Sequence, residues 1–344
     1  MTPSAQLGRP AYRGANARAA ILTCVATLFI LSGLCFPLPG QAQSAPATLR
    51  HDRLDVIFSS SLLPTVNRDD ALALVRVWAE TLGRQKDVVV EINASVADSV
   101  AEIGSRLQQG PVAWVLLDPV EYFELESLGL LEPAFMGTFG KDDEPERFLL
   151  VTSPESGATA VSDLRGKSLV IQSEYRSNLG QMWIEVLLHE RNLGPADRFF
   201  GALSGASKPS AAALPVFFGK IGAGVVDKNS FEVMKEMNPQ IGVRLRVLAE
   251  SPPLVRGFLC VDTRHQFYHA ELLKGLQDLD RSPSGKQILM LFKANRLTPM
   301  SRDDLTQVRA LYTKYRFISK GAAAKIAEGS ALHPTGSSQR EERR

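Results

Sequence analysis

The segment Val161-Ser-Asp-Leu-Arg-Gly-Lys-Ser-Leu-Val-Ile171 decides how this chain folds. It reads as a turn feeding a continuous apolar strand, and the strand runs into a small-polar loop, Ser173 to Asn178, that starts a helix. A strand that stops where a helix begins leaves unpaired backbone NH groups facing a crevice, and the positive end of the helix dipole favours a negative group there. The loop is therefore read as an anion site. Ser173, Ser177 and Asn178 offer hydroxyl and amide donors, and Arg176 adds a charge-assisted contact of the bidentate kind to an oxyanion. A plainer reading stands beside it, in which Ser177 caps the helix and Arg176 is a solvated surface residue.

The same alternation continues in both directions. Upstream, Leu54-Asp-Val-Ile-Phe reads as a strand ending in Ser59-Ser60-Ser61, and Ala71, Leu74, Val75, Trp78 and Leu82 follow at helical spacing with Gly83 as a stop. Val88-Val-Val-Glu-Ile is a second strand. Ser95 with Asp98 reads as a capping box for a helix with the stripe Val96, Val100, Ile103 and Leu107. Val112 to Leu117 is apolar on both faces, as covered parallel strands are, and Asp118-Pro119 supplies a cap and a first-turn proline for a helix carrying Tyr122 and Phe123. Such repetition predicts a doubly wound parallel sheet, with ligands beyond the carboxyl ends of its strands. Ser59, Ser60, Asp118 and Tyr122 fall at such ends, while Trp114 reads as core.

Downstream, the helix from Asn178 to Glu190 precedes a short helix near Ser210, the strand Ile221 to Val226, a helix from Ser230 to Met237 and the strand Leu245 to Ala249. Arg147 to Thr152 and Leu254 to Val261 read as paired crossings between two lobes. The expected organisation is a signal peptide over 1–42, a first lobe from 51–148 and 254–318 with C-terminal helices, a second lobe from 149–253, and a disordered tail over 319–344, rich in Ala, Gly, Ser and charge. Two linking strands suit a hinge that closes over a ligand.

Three motifs in this order resemble the periplasmic phosphonate-binding proteins, in the broader family that also takes phosphate, sulfonate and similar small anions. They are Asp163-Leu-Arg-Gly-Lys167, Ser177-Asn-Leu-Gly180 and Gly219-Lys-Ile-Gly-Ala-Gly-Val-Val-Asp227. The resemblance implies an α/β, type II periplasmic-binding-protein-like fold, with two doubly wound α/β lobes joined by two crossover strands. It implies an exported solute-binding protein that captures a small oxyanion (phosphonate, phosphate or similar) between its lobes for the membrane permease of an ATP-driven ABC importer. In the family, successive hydroxyl residues ahead of the glycine bind the phosphonate oxygens; here Asn178 replaces a threonine and Leu179 a serine. Near the place of a family histidine this chain has Ser207-Lys208, whose ammonium would meet the anion as a point charge or remain on the surface. Asp227 falls where the family carries a carboxylate that meets the ligand's amine, and it is equally placed to cap the helix near Ser230. The alternatives are a ligand-sensing partner of a membrane signalling protein, and an enzyme on the same scaffold.

Composition narrows the classes further. Arg9, Arg13 and Arg18 precede an apolar run from Ala19 to Leu34, and Gly40-Gln41-Ala42 offers small residues for a signal peptidase, so cleavage after Ala42 and a periplasmic location are expected, the alternative being a leader retained as a membrane anchor. Cleavage takes three of the 39 basic residues and none of the 37 acidic ones, which leaves 39 − 3 = 36 and a net charge of 36 − 37 = −1. No broad positive field then argues for nucleic acid. Cys24 and Cys35 go with the leader and Cys260 stays alone in an apolar strand, read as an inert core residue. The chain shows no nucleophile elbow, phosphate loop or paired zinc cysteines, and His265 with His269 has no third ligand at suitable spacing. The expectation is a monomer without cofactor, metal or catalytic residue.

Overall fold

Two separate sheets accommodate the strands. The computed structural model describes residues 50–63, 67–84, 88–140, 143, 145–173, 178–265 and 269–331. The first part of the chain forms β1 (Arg50–Ser59), α1 (Arg68–Arg84), β2 (Val88–Ala97), α2 (Val100–Gln109), β3 (Trp114–Leu117), α3 (Pro119–Leu125) and β4 (Leu131–Thr138). The middle forms β5 (Phe148–Thr152), β6 (Ser168–Gln172), α4 (Leu179–Glu190), α5 (Ala196–Phe199), β7 (Ala202–Ala206), α6 (Pro209–Phe217), β8 (Ala223–Asp227), α7 (Lys228–Met237), α8 (Pro239–Arg244) and β9 (Arg246–Glu250). The chain then returns through β10 (Phe258–Asp262), α9 (His269–Gln277), α10 (Pro283–Leu291), β11 (Arg296–Pro299) and α11 (Thr306–Ala331).

One sheet has the order β2-β1-β3-β10-β4-β11 and the other β7-β6-β8-β5-β9. Each has a parallel core, β2-β1-β3 in the first and β7-β6-β8 in the second, flanked directly by an antiparallel strand. In both sheets that antiparallel strand, β10 or β5, is the one whose chain has just crossed from the other sheet. The crossings run side by side: Leu254 N donates to Glu146 O at 2.8 Å, and Phe148 N donates to Ser251 Oγ at 2.8 Å. The run expected as a strand from Leu254 is thus irregular up to Gly257. A Cβ on Gly257 would lie 2.8 Å from a terminal methyl of Leu62, so any side chain there would have to displace that leucine.

Strands β5 and β8 are buried along their whole length, as their continuous apolar sequences require of central strands. Gly224 in β8 lets α6 lie against the sheet, since a Cβ there would stand 2.7 Å from Ala212 O. That closeness brings the first turn of α6 to the carboxyl end of β8.

Three expectations are corrected. The cap of α2 is Ser99, which accepts from Glu102 N at 3.2 Å, while Ser95 and Val96 belong to β2. The helix after the small-polar loop is capped by Asn178 and begins at Leu179. Residues 319–331, expected as part of a disordered tail, continue α11; their alanines are strong helix formers, which outweighs the missing apolar stripe. Helix α11 packs on both halves. Arg309 pairs with Glu126 at 2.7 Å beside α3, Tyr312 meets the ring of Phe123, and Lys314 reaches Glu190 of α4 at 2.5 Å.

Candidate functional cleft

Parallel strands deliver their carboxyl ends to one side, and the two sheets meet there across a cavity of about 370 Å³. The second sheet contributes the first turns of two helices, Pro209 and Ser210 of α6 and Asn229 and Ser230 of α7, together with Asp227 at the end of β8. From the other side come Phe139, Gly140, Glu146, Arg256 and Lys293, all in irregular segments near the crossings. Two helix N-termini and two cations thus meet two carboxylates in one small space. The N-termini and cations favour an oxyanion, and the carboxylates favour a cationic group on the same ligand.

Asp227 is held on both oxygens. Its Oδ1 accepts from Ser230 N at 2.7 Å, capping α7, and its Oδ2 accepts from Gln172 Nε2 at 2.9 Å. Gln172 Oε1 in return accepts from Asp227 N at 2.9 Å. This reciprocal link ties the ends of adjacent parallel strands β6 and β8 and fixes the carboxylate's direction. A carboxylate has about four acceptor positions, so a ligand donor still finds a place.

Arg256 is the other fixed point. Its guanidinium donates to Glu146 Oε1 at 3.0 Å and lies 4.3 Å from the centroid of the Phe139 ring. The pair is largely buried, with side-chain exposures of 13% and 6%, so its charges are little screened by water. Gly140 has φ +67°, and a Cβ there would overlap the side-chain oxygen of Asn229.

The structure brings few of the other sequence-predicted residues to this cavity. Arg176 and Ser177 lie outside the described residues. Ser173 follows β6, donates its N–H to Ala206 O at 2.9 Å and sets its hydroxyl beside Gly205. Asn178 spends its side-chain oxygen on the cap, accepting from Gln181 N at 3.1 Å. Lys208 is the exposed residue just before α6. On the first sheet, Ser59 and Ser61 donate to the two oxygens of Glu121 at 2.5 and 3.0 Å, and Asp118 Oδ1 accepts from Val120 N and Glu121 N. Those groups lock one turn at the ends of β1 and β3. Ser60 Oγ is buried there, with no partner among the described residues. Tyr122 is fully buried in the core, its ring 5.3 Å from that of Phe258, and burial pushes its phenol up to about 12. It does not wall the cleft. Cys260 is buried in β10, and burial pushes its thiol well above the usual range.

Sequence reading missed Gln172, Glu146, Arg256, Asn229 and Lys293. Two carried a signal: Gln172 is a polar end to an apolar strand, and Arg256 is a lone charge inside Leu254 to Val261.

The profile of a family described as ABC transporter, phosphonate, periplasmic substrate-binding protein matches residues 60–305. The chain belongs to this family. No curated protein is significantly similar to it in sequence. Among solved structures, a Xanthomonas citri protein bound to ATP has TM-score 0.57 at 18% identity, over 78% of this chain and 98% of that one. A Prochlorococcus marinus binding protein in complex with methylphosphonate has TM-score 0.52 at 16% identity, over 77% and 98%. A binding protein component of a phosphonate ABC transporter from Pseudomonas aeruginosa has TM-score 0.51 at 14% identity, over 81% and 94%. At these identities the likeness establishes the fold, that of type II periplasmic binding proteins. The family is a substrate-binding component of transport and is periplasmic. No helix among the described residues is long and apolar enough to cross a membrane.

Proposed function

We propose that the chain, exported by a cleaved leader ending at Ala42, captures a phosphonate-class oxyanion in the cleft between its sheets and presents it as a monomer to an importer's permease. The observation that carries this reading is the cavity of about 370 Å³ onto which the first turns of α6 and α7, Arg256 and Lys293 all open. The oxyanion lies against these groups, and the guanidinium of Arg176 and the hydroxyl of Ser177 add donors to it. Asp227 faces the ligand's amine where it has one. The mechanism is capture by closure about the paired crossings, where Glu146 lies beside Leu254 and Phe148 beside Ser251, and it makes no covalent bond.

Calorimetric titration of the full chain with methylphosphonate, 2-aminoethylphosphonate, phosphate and sulfate tests the assignment. Binding of a phosphonate, weakened tenfold or more by Lys293→Ala and by Arg176→Ala with Ser177→Ala, is the expected result. Absence of binding by every oxyanion, or affinity indifferent to both changes, overturns it.

A further inference from the structure

The first sheet is not filled on the face covered by α1 and α10. A cavity of about 100 Å³ lies there, walled by Phe58, Trp78, Trp114, Phe292 and other apolar side chains. Trp78 and Trp114 meet edge to face at 6.1 Å, and Phe58 stacks on Phe292 at 6.2 Å. Among its described lining residues Arg256 is the one charged side chain, and Arg256 with Phe139 lines the interlobe cleft as well. The stacked Arg256–Phe139 pair is therefore the partition between a polar space and an apolar one. The backbone is bare at this junction. A Cβ on Gly137 would come 3.2 Å from the Phe139 ring and 3.3 Å from Ala294, and Gly257 is closed off by Leu62. An apolar void forfeits dispersion contacts along its walls and stays dry unless an apolar group enters, as a 150 Å³ engineered cavity does with benzene.

We propose that this cavity receives the organic substituent of the captured ligand. The preferred substrates are then phosphonates bearing a compact apolar group of about four carbons, scaled from benzene in the larger cavity. The inference rests on the oxyanion reading above and deepens it. Arg256 holds the head group on the cleft side, and the substituent passes Phe139 into the space beside Trp78 and Trp114. Hydration favours this transfer by about fourfold in affinity for each buried methylene.

Calorimetry on the full chain with methyl-, ethyl-, butyl- and octylphosphonate tests it. Affinity is expected to rise about fourfold per carbon up to butyl and then level off, and butylphosphonate but not methylphosphonate should shift the tryptophan emission. Ala294→Leu fills the rim of the cavity and should abolish the chain-length dependence while methylphosphonate binds as before; Leu297→Phe serves if that variant does not fold. Methylphosphonate binding with no chain-length dependence in the natural protein overturns this proposal and leaves the oxyanion reading standing. A dependence that survives either filled variant overturns the cavity assignment. Failure of the whole series to bind overturns both.

Discussion

Asp227 separates a structural role from a binding role, because its two oxygens do different work. Oδ1 caps α7 through Ser230 N, and Oδ2 takes a charge-assisted bond from Gln172 Nε2. Losing a helix cap costs about 1 kcal/mol and losing a hydrogen bond to a charged group about 1.5–3 kcal/mol, so Asp227→Ala should destabilise the protein by roughly 3 kcal/mol. Asp227→Asn keeps the oxygen that caps α7 but turns an amide NH₂ toward Gln172 Nε2. Flipping Gln172 does not repair this, because its oxygen already accepts from Asp227 N. The expected cost is about 1–2 kcal/mol, clearly below that of alanine. Urea denaturation at neutral pH measures both. Calorimetry with two ligands then reads the second role: if the carboxylate meets an ammonium, Asp227→Asn loses tenfold or more for 2-aminoethylphosphonate and much less for methylphosphonate. Equal destabilisation by alanine and asparagine would refute the division of labour between the oxygens. Equal loss for both ligands would refute the contact with the amine.

Other perturbations test the frame around the cleft. Gly140→Ala places a side chain at φ +67° and against Asn229, and should cost roughly 1–3 kcal/mol in urea denaturation; if Asn229→Ala in the same chain recovers none of it, the contact is not the cause. Burial raises the folded-state value of Tyr122 from 10.0 to about 12, so its share of stability is whole below pH 10 and is lost as pH climbs toward 12. Tyr122→Phe should flatten that alkaline loss, and an unchanged alkaline profile would sink the assignment. Asp262 runs the opposite way. Desolvation pushes its carboxyl up, but bonds from Arg264 and Val112 N outweigh this and hold it below 3.8. Its stabilisation is present above about pH 4 and disappears as pH falls through the lowered value. Asp262→Asn should therefore cost about 2 kcal/mol at neutral pH and progressively less in acid; a cost independent of pH would count against the pairing.

Much of the architecture was legible because it rests on local rules. Asp118-Pro119 announced a capped helix, and the capping box with Glu121 is present. The apolar runs at 112–117 and 221–226 became central strands, because burial on both faces leaves no room for polar alternation. Strand β4 escaped notice for an equally physical reason. Pro133 interrupts it, and a proline cannot donate to a ladder. The protein resolves this with a register shift between Leu259 and Cys260 on the neighbouring strand, where Cys260 faces Pro133.

The cleft was less legible than the sheets, and the reason lies in where its charges sit. Glu146, Arg256 and Lys293 occupy irregular segments, more than a hundred residues apart between Glu146 and Arg256. No periodicity marks such positions, and a single arginine in an apolar run looks like an error in the pattern. Strand order supplies the missing information. Since each crossing strand takes the antiparallel place in the sheet it enters, the two crossings must run beside one another, and Glu146 must face the segment carrying Arg256. A largely buried pair at that point is costly to split, because either charge left alone would remain in a poorly solvated site. Closure that turns about the crossings keeps the pair intact, whereas closure that sheared the crossings apart would break it. Under the proposed closure, the topology that would serve as a hinge also fixes Arg256, the cation proposed to meet the ligand.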